Sequence, residues 1–230
     1  MHSPPFPPRT RVPFLTTGLV CAALSLVVLV LVAVRWPPLI SLDTTVADGL
    51  HRRAVDEPGL VRASRVLTDW VWDPWTMRVL TAVVVITLWR RGARLLAGWV
   101  AATSLVGTLL QQGLKWAVGR ERPQWPDPVD SAHYAAFPSG HAMSAAVACG
   151  LLMWLLRLHG VEPSVWWGSL ALAAVSVAGV SLTRVYLGVH WMSDVLGGVL
   201  SGAALVALSV AGYTTYTERR EAAGPTHRVP

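Results

Sequence analysis

Six apolar stretches, each close to the roughly 20 residues that an α-helix needs to cross bilayer hydrocarbon, constrain this chain more than any other feature. The first, Phe14 to Val34, contains no charged residue before Arg35. It is longer than a signal-peptide core and lacks a clear small-residue cleavage site, so it reads as an uncleaved span. Five more follow at about 76–89, 95–116, 141–158, 165–183 and 190–213. Inside a bilayer every backbone N–H and C=O needs an internal partner, so apolar segments of this length become helices. The expected fold is therefore all-α, a polytopic membrane protein with six transmembrane helices in one unit over 14–213. A Pro-rich cytoplasmic arm over 1–13 and a cytoplasmic tail over 214–230 flank it.

Composition supports the membrane and argues against nucleic acid. Hydrophobic residues make up 53% of the chain and charged residues 14%, unlike a water-soluble domain. The net charge of +6 arises from cations spread between apolar stretches, with no basic run for a nucleic-acid backbone to follow. Arg9 and Arg11, the cluster Arg90, Arg91 and Arg94, and Arg219, Arg220 and Arg228 place both termini inside, a bias reduced by the four arginines of the outer segment 52–65. The stretch 36–75 is mixed, with Leu42, Val46 and Leu50 at helical spacing, and is expected to lie on the outer surface as short amphipathic helices. Trp36, Trp70, Trp72, Trp75, Trp116 and Trp191 fall near outer span ends, as an interfacial aromatic belt requires. Cys21 and Cys149 lie inside apolar segments and read as small apolar fillers.

The polar residues that interrupt this pattern form three groups: Lys115 and Arg122 after span three, Ser139, Gly140 and His141 before span four, and Arg184, His190 and Asp194 around the junction of spans five and six. The chain between His141 and Arg184 is long enough to cross the bilayer twice and return, so all three groups share one membrane face. Ionisable groups near hydrocarbon cost about 2.5–3.5 kcal/mol each on insertion scales, and a pocket with several cations calls for an anion. Phosphate suits the planar fork of arginine and the point charge of lysine. Lys115, the sole lysine, and Arg122 are two turns apart on a helix that Pro123 is expected to end. Arg120 lies off that stripe and Glu121 has a local partner in reach, so neither receives a role. Ser139 is placed to cap the next helix, with Gly140 opening its amides to a ligand. His190 and Asp194 are i and i+4 at the start of span six, which lets the carboxylate orient the imidazole as a nucleophile. A structural His–Asp bond, a helix cap and snorkelling arginines are the bland readings of the same residues. Three cations beside one carboxylate disfavour a metal.

The three groups resemble the three motifs of the type 2 phosphatidic acid phosphatase (PAP2) family, which shares its site with vanadium haloperoxidases. Lys115 through Arg122-Pro123 matches the first motif, Pro138-Ser139-Gly140-His141 the second, and Thr183-Arg184 with His190 and Asp194 the third. Thr183 stands where the family usually has Ser and keeps the hydroxyl. The resemblance implies a PAP2/haloperoxidase-like helical core and a phosphatase that needs neither cofactor nor metal. In it Lys115, Arg122, Ser139, Gly140 and Arg184 hold the phosphate, His190 attacks phosphorus, Asp194 orients it, and His141 serves the leaving group. It points to a lipid phosphate substrate at the outer face of the plasma membrane, undecaprenyl diphosphate foremost, with phosphatidic acid and phosphatidylglycerol phosphate as alternatives. A phosphotransferase with the same motifs is the second expectation and a transporter the third. The segment 124–137, with Asp127, Asp130 and His133, is read as a plain outer loop.

Overall fold

The computed structural model describes residues 11–223, so most of the expected arm and the end of the expected tail lie outside the described residues. The described chain is helical in the order α1 (Arg11–Ala33), α2 (Pro37–Asp56), α3 (Pro58–Val66), α4 (Pro74–Arg90), α5 (Arg94–Val118), α6 (Gly140–Leu158), α7 (Pro163–Tyr186) and α8 (Met192–Ala222). A single π-turn, Leu67–Val71, joins α3 to α4. Six helical stretches are long and apolar enough to cross a membrane: α1, the α3–α4 stretch, α5, α6, α7 and α8. Proline opens α2, α3, α4 and α7, where its missing N–H costs no helical bond.

Helix α8 is the axis of the bundle. Its 31 residues extend about 46 Å, well beyond a hydrocarbon core of about 30 Å. The helix therefore runs on through Ala222, where the sequence suggested a tail from 214. Small residues let its neighbours approach closely. A Cβ on Gly198 would stand 2.7 Å from the Ser139 carbonyl oxygen, and one on Gly202 2.8 Å from Ala146 Cβ, so α6 packs against α8 almost backbone to backbone. Hydroxyls add polar contacts inside the apolar bundle. Ser25 and Ser201 meet at 2.8 Å between α1 and α8, and Thr103 and Ser209 at 2.6 Å between α5 and α8. Leu151, Trp154, Val100, Ala97 and Val210 form the main buried cluster, with the Trp154 and Tyr213 rings edge to face at 5.1 Å. Cys21 and Cys149 are free and half-buried on α1 and α6.

In the segment before α4 the buried face carries polar as well as apolar residues. Helix α2 buries Asp43, Ala47, His51 and Ala54 and leaves Leu42 48% exposed. Of the expected apolar stripe Leu42 alone faces outward, while Val46 and Leu50 are partly buried and pack against the core on the same side as Ala47 and Ala54. The aromatic residues divide similarly. Trp70, Trp75 and Trp116 are exposed as a belt requires, but Trp72 is buried, with its ring beside Gly179 of α7.

Candidate active site

The four ends that carry the motif residues converge at one end of the bundle: the C-termini of α5 and α7 and the N-termini of α6 and α8. Lys115 lies in the last turn of α5 and donates to the Ala135 carbonyl. That helix ends at Gly119 rather than at Pro123. Gly119 has φ +57°, a left-handed cap that glycine adopts without a Cβ penalty, and its N–H bonds the Lys115 carbonyl at 3.0 Å. Arg122 is thus not on the Lys115 helix face but in the segment beyond it. Its Nε donates to the Tyr134 carbonyl at 2.9 Å, Nη2 to that of His133 at 3.2 Å, and Nη1 to that of Val189. The segment 124–137 is therefore more than a plain loop, because its carbonyls hold two of the three motif cations.

His190 also departs from expectation. It precedes α8, whose N-cap is Trp191, and its N–H bonds the Arg184 carbonyl at 3.2 Å. The imidazole still reaches Asp194: Nδ1 stands 3.4 Å from Oδ2, with both side chains buried. On its other side Nε2 lies 3.2 Å from Arg122 Nη1. Burial holds the His190 pKa well below the usual histidine range, and Arg122, Arg184 and Lys115 press it further in the same direction. Arg122 is pushed down to about 10 by burial and the neighbouring Arg184.

Arg184, in the last turn of α7, is 5% exposed; its Nη1 is 3.5 Å from Thr68 Oγ1 and 3.9 Å from Asp130 Oδ2, and its Nε has no partner among the described residues. Ser139 occupies the N-cap position of α6 without the expected side-chain cap. Its Oγ is buried with no described partner, while its N–H bonds the Asp194 carbonyl at 3.0 Å. Such orphaned donors within one cluster are costly unless a ligand satisfies them. Gly140 opens α6, so its amide is among the unpaired N–H groups of a helix N-terminus, a setting that favours anions. His141 follows, with Nε2 3.9 Å from Asp73 Oδ2. The structure thus brings together all eight residues singled out in the sequence.

It also brings in residues that the motifs do not name. Arg120 donates from Nη1 to Asp194 Oδ1 and from Nη2 to Asp43 Oδ2, both at 2.7 Å. Asp73 faces His141 from the start of α4, and the Gln111 amide packs against Gly140. Arg120 is an arginine among many, and Asp43 follows Leu42 in what reads as an apolar stripe. Only the buried face of α2 shows their connection. Beside Gln111 and Met143 opens a cavity of about 340 Å³ between α4, α5 and α6, lined along the membrane by Thr81, Ala101, Ser104 and Val147.

Six helices long and apolar enough to cross a membrane, with a cluster of buried cations at one end of the bundle, define a polytopic membrane protein. The chain belongs to the PAP2 superfamily, whose sequence model matches residues 92–218, more than half of its length. It is 35% identical over 170 residues to a decaprenylphosphoryl-5-phosphoribose phosphatase of Mycobacterium tuberculosis, covering 72% of this chain and 88% of that one. It is 28% identical over 160 residues to an undecaprenyl-diphosphatase of Sulfolobus acidocaldarius, covering 66% and 68%. Its fold superimposes on the transmembrane PAP2-type phosphatidylglycerolphosphate phosphatase of Bacillus subtilis with a TM-score of 0.75, over 92% of this chain and 99% of that one, at 21% identity. The protein is a multi-pass membrane lipid phosphatase, a hydrolase of phosphoric esters.

Proposed function

We propose that the protein hydrolyses undecaprenyl diphosphate to the monophosphate through a phosphohistidine on His190, with the site at the outer face of the plasma membrane. The observation that carries this reading is the two-sided grip on His190. Arginine only donates, so the 3.2 Å contact from Arg122 makes Nε2 the acceptor, and the proton resides on Nδ1, facing Asp194 Oδ2 at 3.4 Å. The basic nitrogen therefore points at the cations that would hold a phosphate.

In the proposed reaction Lys115, Arg122 and Arg184, with Ser139 Oγ and the Gly140 amide, bind the non-bridging oxygens of the terminal phosphate. They stabilise the charge spread over them in the transition state. His190 Nε2 forms a bond to phosphorus as the bond to the bridging oxygen breaks. His141 gives that oxygen a proton, and the lipid monophosphate leaves. His141, now a base, takes a proton from water; the oxygen attacks phosphorus, the N–P bond breaks, and inorganic phosphate departs. The three cations supply the charge that a metal ion would otherwise bring, so the proposed chemistry is metal-independent. The cavity between α4, α5 and α6 receives the first part of the lipid tail, which supports a substrate approaching from the bilayer.

The polyprenyl reading draws on two relatives whose names carry polyprenyl phosphates. A panel of undecaprenyl diphosphate, phosphatidic acid and phosphatidylglycerol phosphate in one detergent, scored by phosphate release, tests it. Fastest turnover of the diphosphate supports the reading, and preference for either glycerolipid replaces it. Release without any added acceptor excludes an obligatory phosphotransferase.

A further inference from the structure

Asp43 lies on α2, outside the six spans and outside the region matched to the family, yet it is 1% exposed and ion-paired. Its partner Arg120 has a side chain 11% exposed and bridges two carboxylates with separate fork nitrogens, Asp43 through Nη2 and Asp194 through Nη1. Asp43 is engaged a second time: its Oδ1 accepts the Ser193 N–H at 2.9 Å and its Oδ2 the Ser193 hydroxyl. Ser193 N is among the first amides of α8, which have no partner within their own helix. A carboxylate from α2 thus caps the helix that carries Asp194. The Arg120 guanidinium also lies over the Trp191 ring at 5.5 Å, and the ring Nε1 donates to the Glu121 carbonyl at 2.9 Å.

These contacts leave Asp194 no freedom. Arg120 takes Oδ1, the Trp191 N–H takes Oδ2 at 2.9 Å, and Oδ2 faces His190 Nδ1. A continuous chain therefore runs from Asp43 through Arg120 and Asp194 to the imidazole. A helix N-terminus alone could be capped by a neutral serine or asparagine at far lower desolvation cost than a buried carboxylate. What the charged arrangement adds is a guanidinium held between two carboxylates, which fixes the rotation of Asp194.

We propose that Asp43 and Arg120 are positioning residues for the reaction: Asp43 aims Arg120, Arg120 aims Asp194, and Asp194 holds His190 with Nδ1 protonated and Nε2 toward phosphorus. This rests on the reading of His190 as nucleophile. It makes the seating of α2 at the membrane surface part of the active site. Lysine in place of Arg120 has no fork to reach both carboxylates at once.

The test compares Asp43→Asn, Arg120→Lys, Arg120→Gln and the Asp43→Asn/Arg120→Gln double variant with wild type, as purified full-length protein, for phosphate release from undecaprenyl diphosphate. Asp43→Asn and Arg120→Lys should each lower kcat about tenfold while KM stays within about twofold, because substrate contacts are untouched. Arg120→Gln should lose about 10²-fold, and the double variant should be no worse than Arg120→Gln, as members of one chain are non-additive. Unchanged kcat in Asp43→Asn, additive losses, or reduced yield of protein with wild-type specific activity would overturn the proposal. If Asp43→Asn does not accumulate, Arg120→Lys alone decides, by its kcat against KM. An active His190→Ala protein would remove the nucleophile reading and this proposal with it. An inert His190→Ala beside an unimpaired Asp43→Asn removes only this one.

Discussion

Arg122 Nη1 and His190 Nε2 meet at 3.2 Å, and this contact sets the tautomer of a buried imidazole whose other nitrogen faces Asp194 at 3.4 Å. The same guanidinium is fixed by three backbone carbonyls, those of His133, Tyr134 and Val189. Removing it should therefore cost both phosphate binding and the orientation of His190. Arg122→Gln is expected to lower kcat/KM about 10²- to 10³-fold, the range for losing one transition-state donor. Arg122→Lys should recover little, since an ammonium cannot reproduce the fork. Steady-state kinetics of both variants check this, and a near-wild-type Arg122→Gln would remove Arg122 from the site.

Asp194→Asn should keep the helix start but lose the carboxylate that holds Nδ1–H. A fall in kcat of about 10²-fold or more is expected, by the logic of orienting carboxylates in nucleophile–histidine pairs. Asp194 also accepts from Arg120 and the Trp191 N–H, so thermal stability should fall as well. Comparing kcat with the melting temperature separates the two effects.

The pH dependence follows from the charge around His190. Five groups face it from different elements: Lys115 on α5, Arg122 in the following segment, His141 on α6, Arg184 on α7 and Asp194 on α8. Burial first, then Arg122, Arg184 and Lys115, hold its pKa below the usual 6.5. The neutral form is the nucleophile, so the acid limb that His190 contributes to kcat/KM should lie below pH 6.5. Bound phosphate offsets the cations, and the corresponding limb of kcat should lie higher. The sign for stability is the same: below the ordinary pKa the unfolded chain binds a proton that the folded site refuses, so stability falls as pH drops through that range and is unaffected above it. A pH–rate profile in which Arg122→Gln moves the kcat/KM limb upward would bear this out.

If the cavity between α4, α5 and α6 takes the lipid tail, filling it should discriminate by chain length. Ala101 lines it and is exposed, so Ala101→Trp fits without disturbing the buried core. It should raise KM for undecaprenyl diphosphate about fourfold or more, the effect of excluding at least one methylene, and leave a short water-soluble phosphate ester unaffected. Equal changes for both substrates would place the tail elsewhere.

Vanadate should inhibit, as a mimic of the phosphoryl transition state, and EDTA should not. Activity lost to EDTA and restored by Mg²⁺ would overturn the metal-free chemistry.

The spans were legible because bilayer physics leaves a chain like this few choices, and the motif residues because cations near hydrocarbon stand out. What escaped the sequence depended on local geometry or tertiary burial. Gly119 ends α5 before Pro123 does, which moves Arg122 off the helix and makes loop carbonyls its supports. His190 sits before α8 rather than within it, yet reaches Asp194 because Trp191 turns the chain at the N-cap. Asp43 was hidden because it sits one residue off the apolar positions Leu42, Val46 and Leu50, and only the packing of α2 against α8 shows that its carboxylate is buried. Arg120 lay off the stripe shared by Lys115 and Arg122, and only the fold brings Asp43 and Asp194 to its two nitrogens.

The most direct test of the account is phosphate release from undecaprenyl diphosphate by purified wild type and His190→Ala, paired with a search for an acid-labile, alkali-stable phosphoenzyme in quenched reactions. The account predicts release and a phosphoenzyme in wild type and neither in His190→Ala. Phosphate release by His190→Ala at a rate near wild type would contradict it.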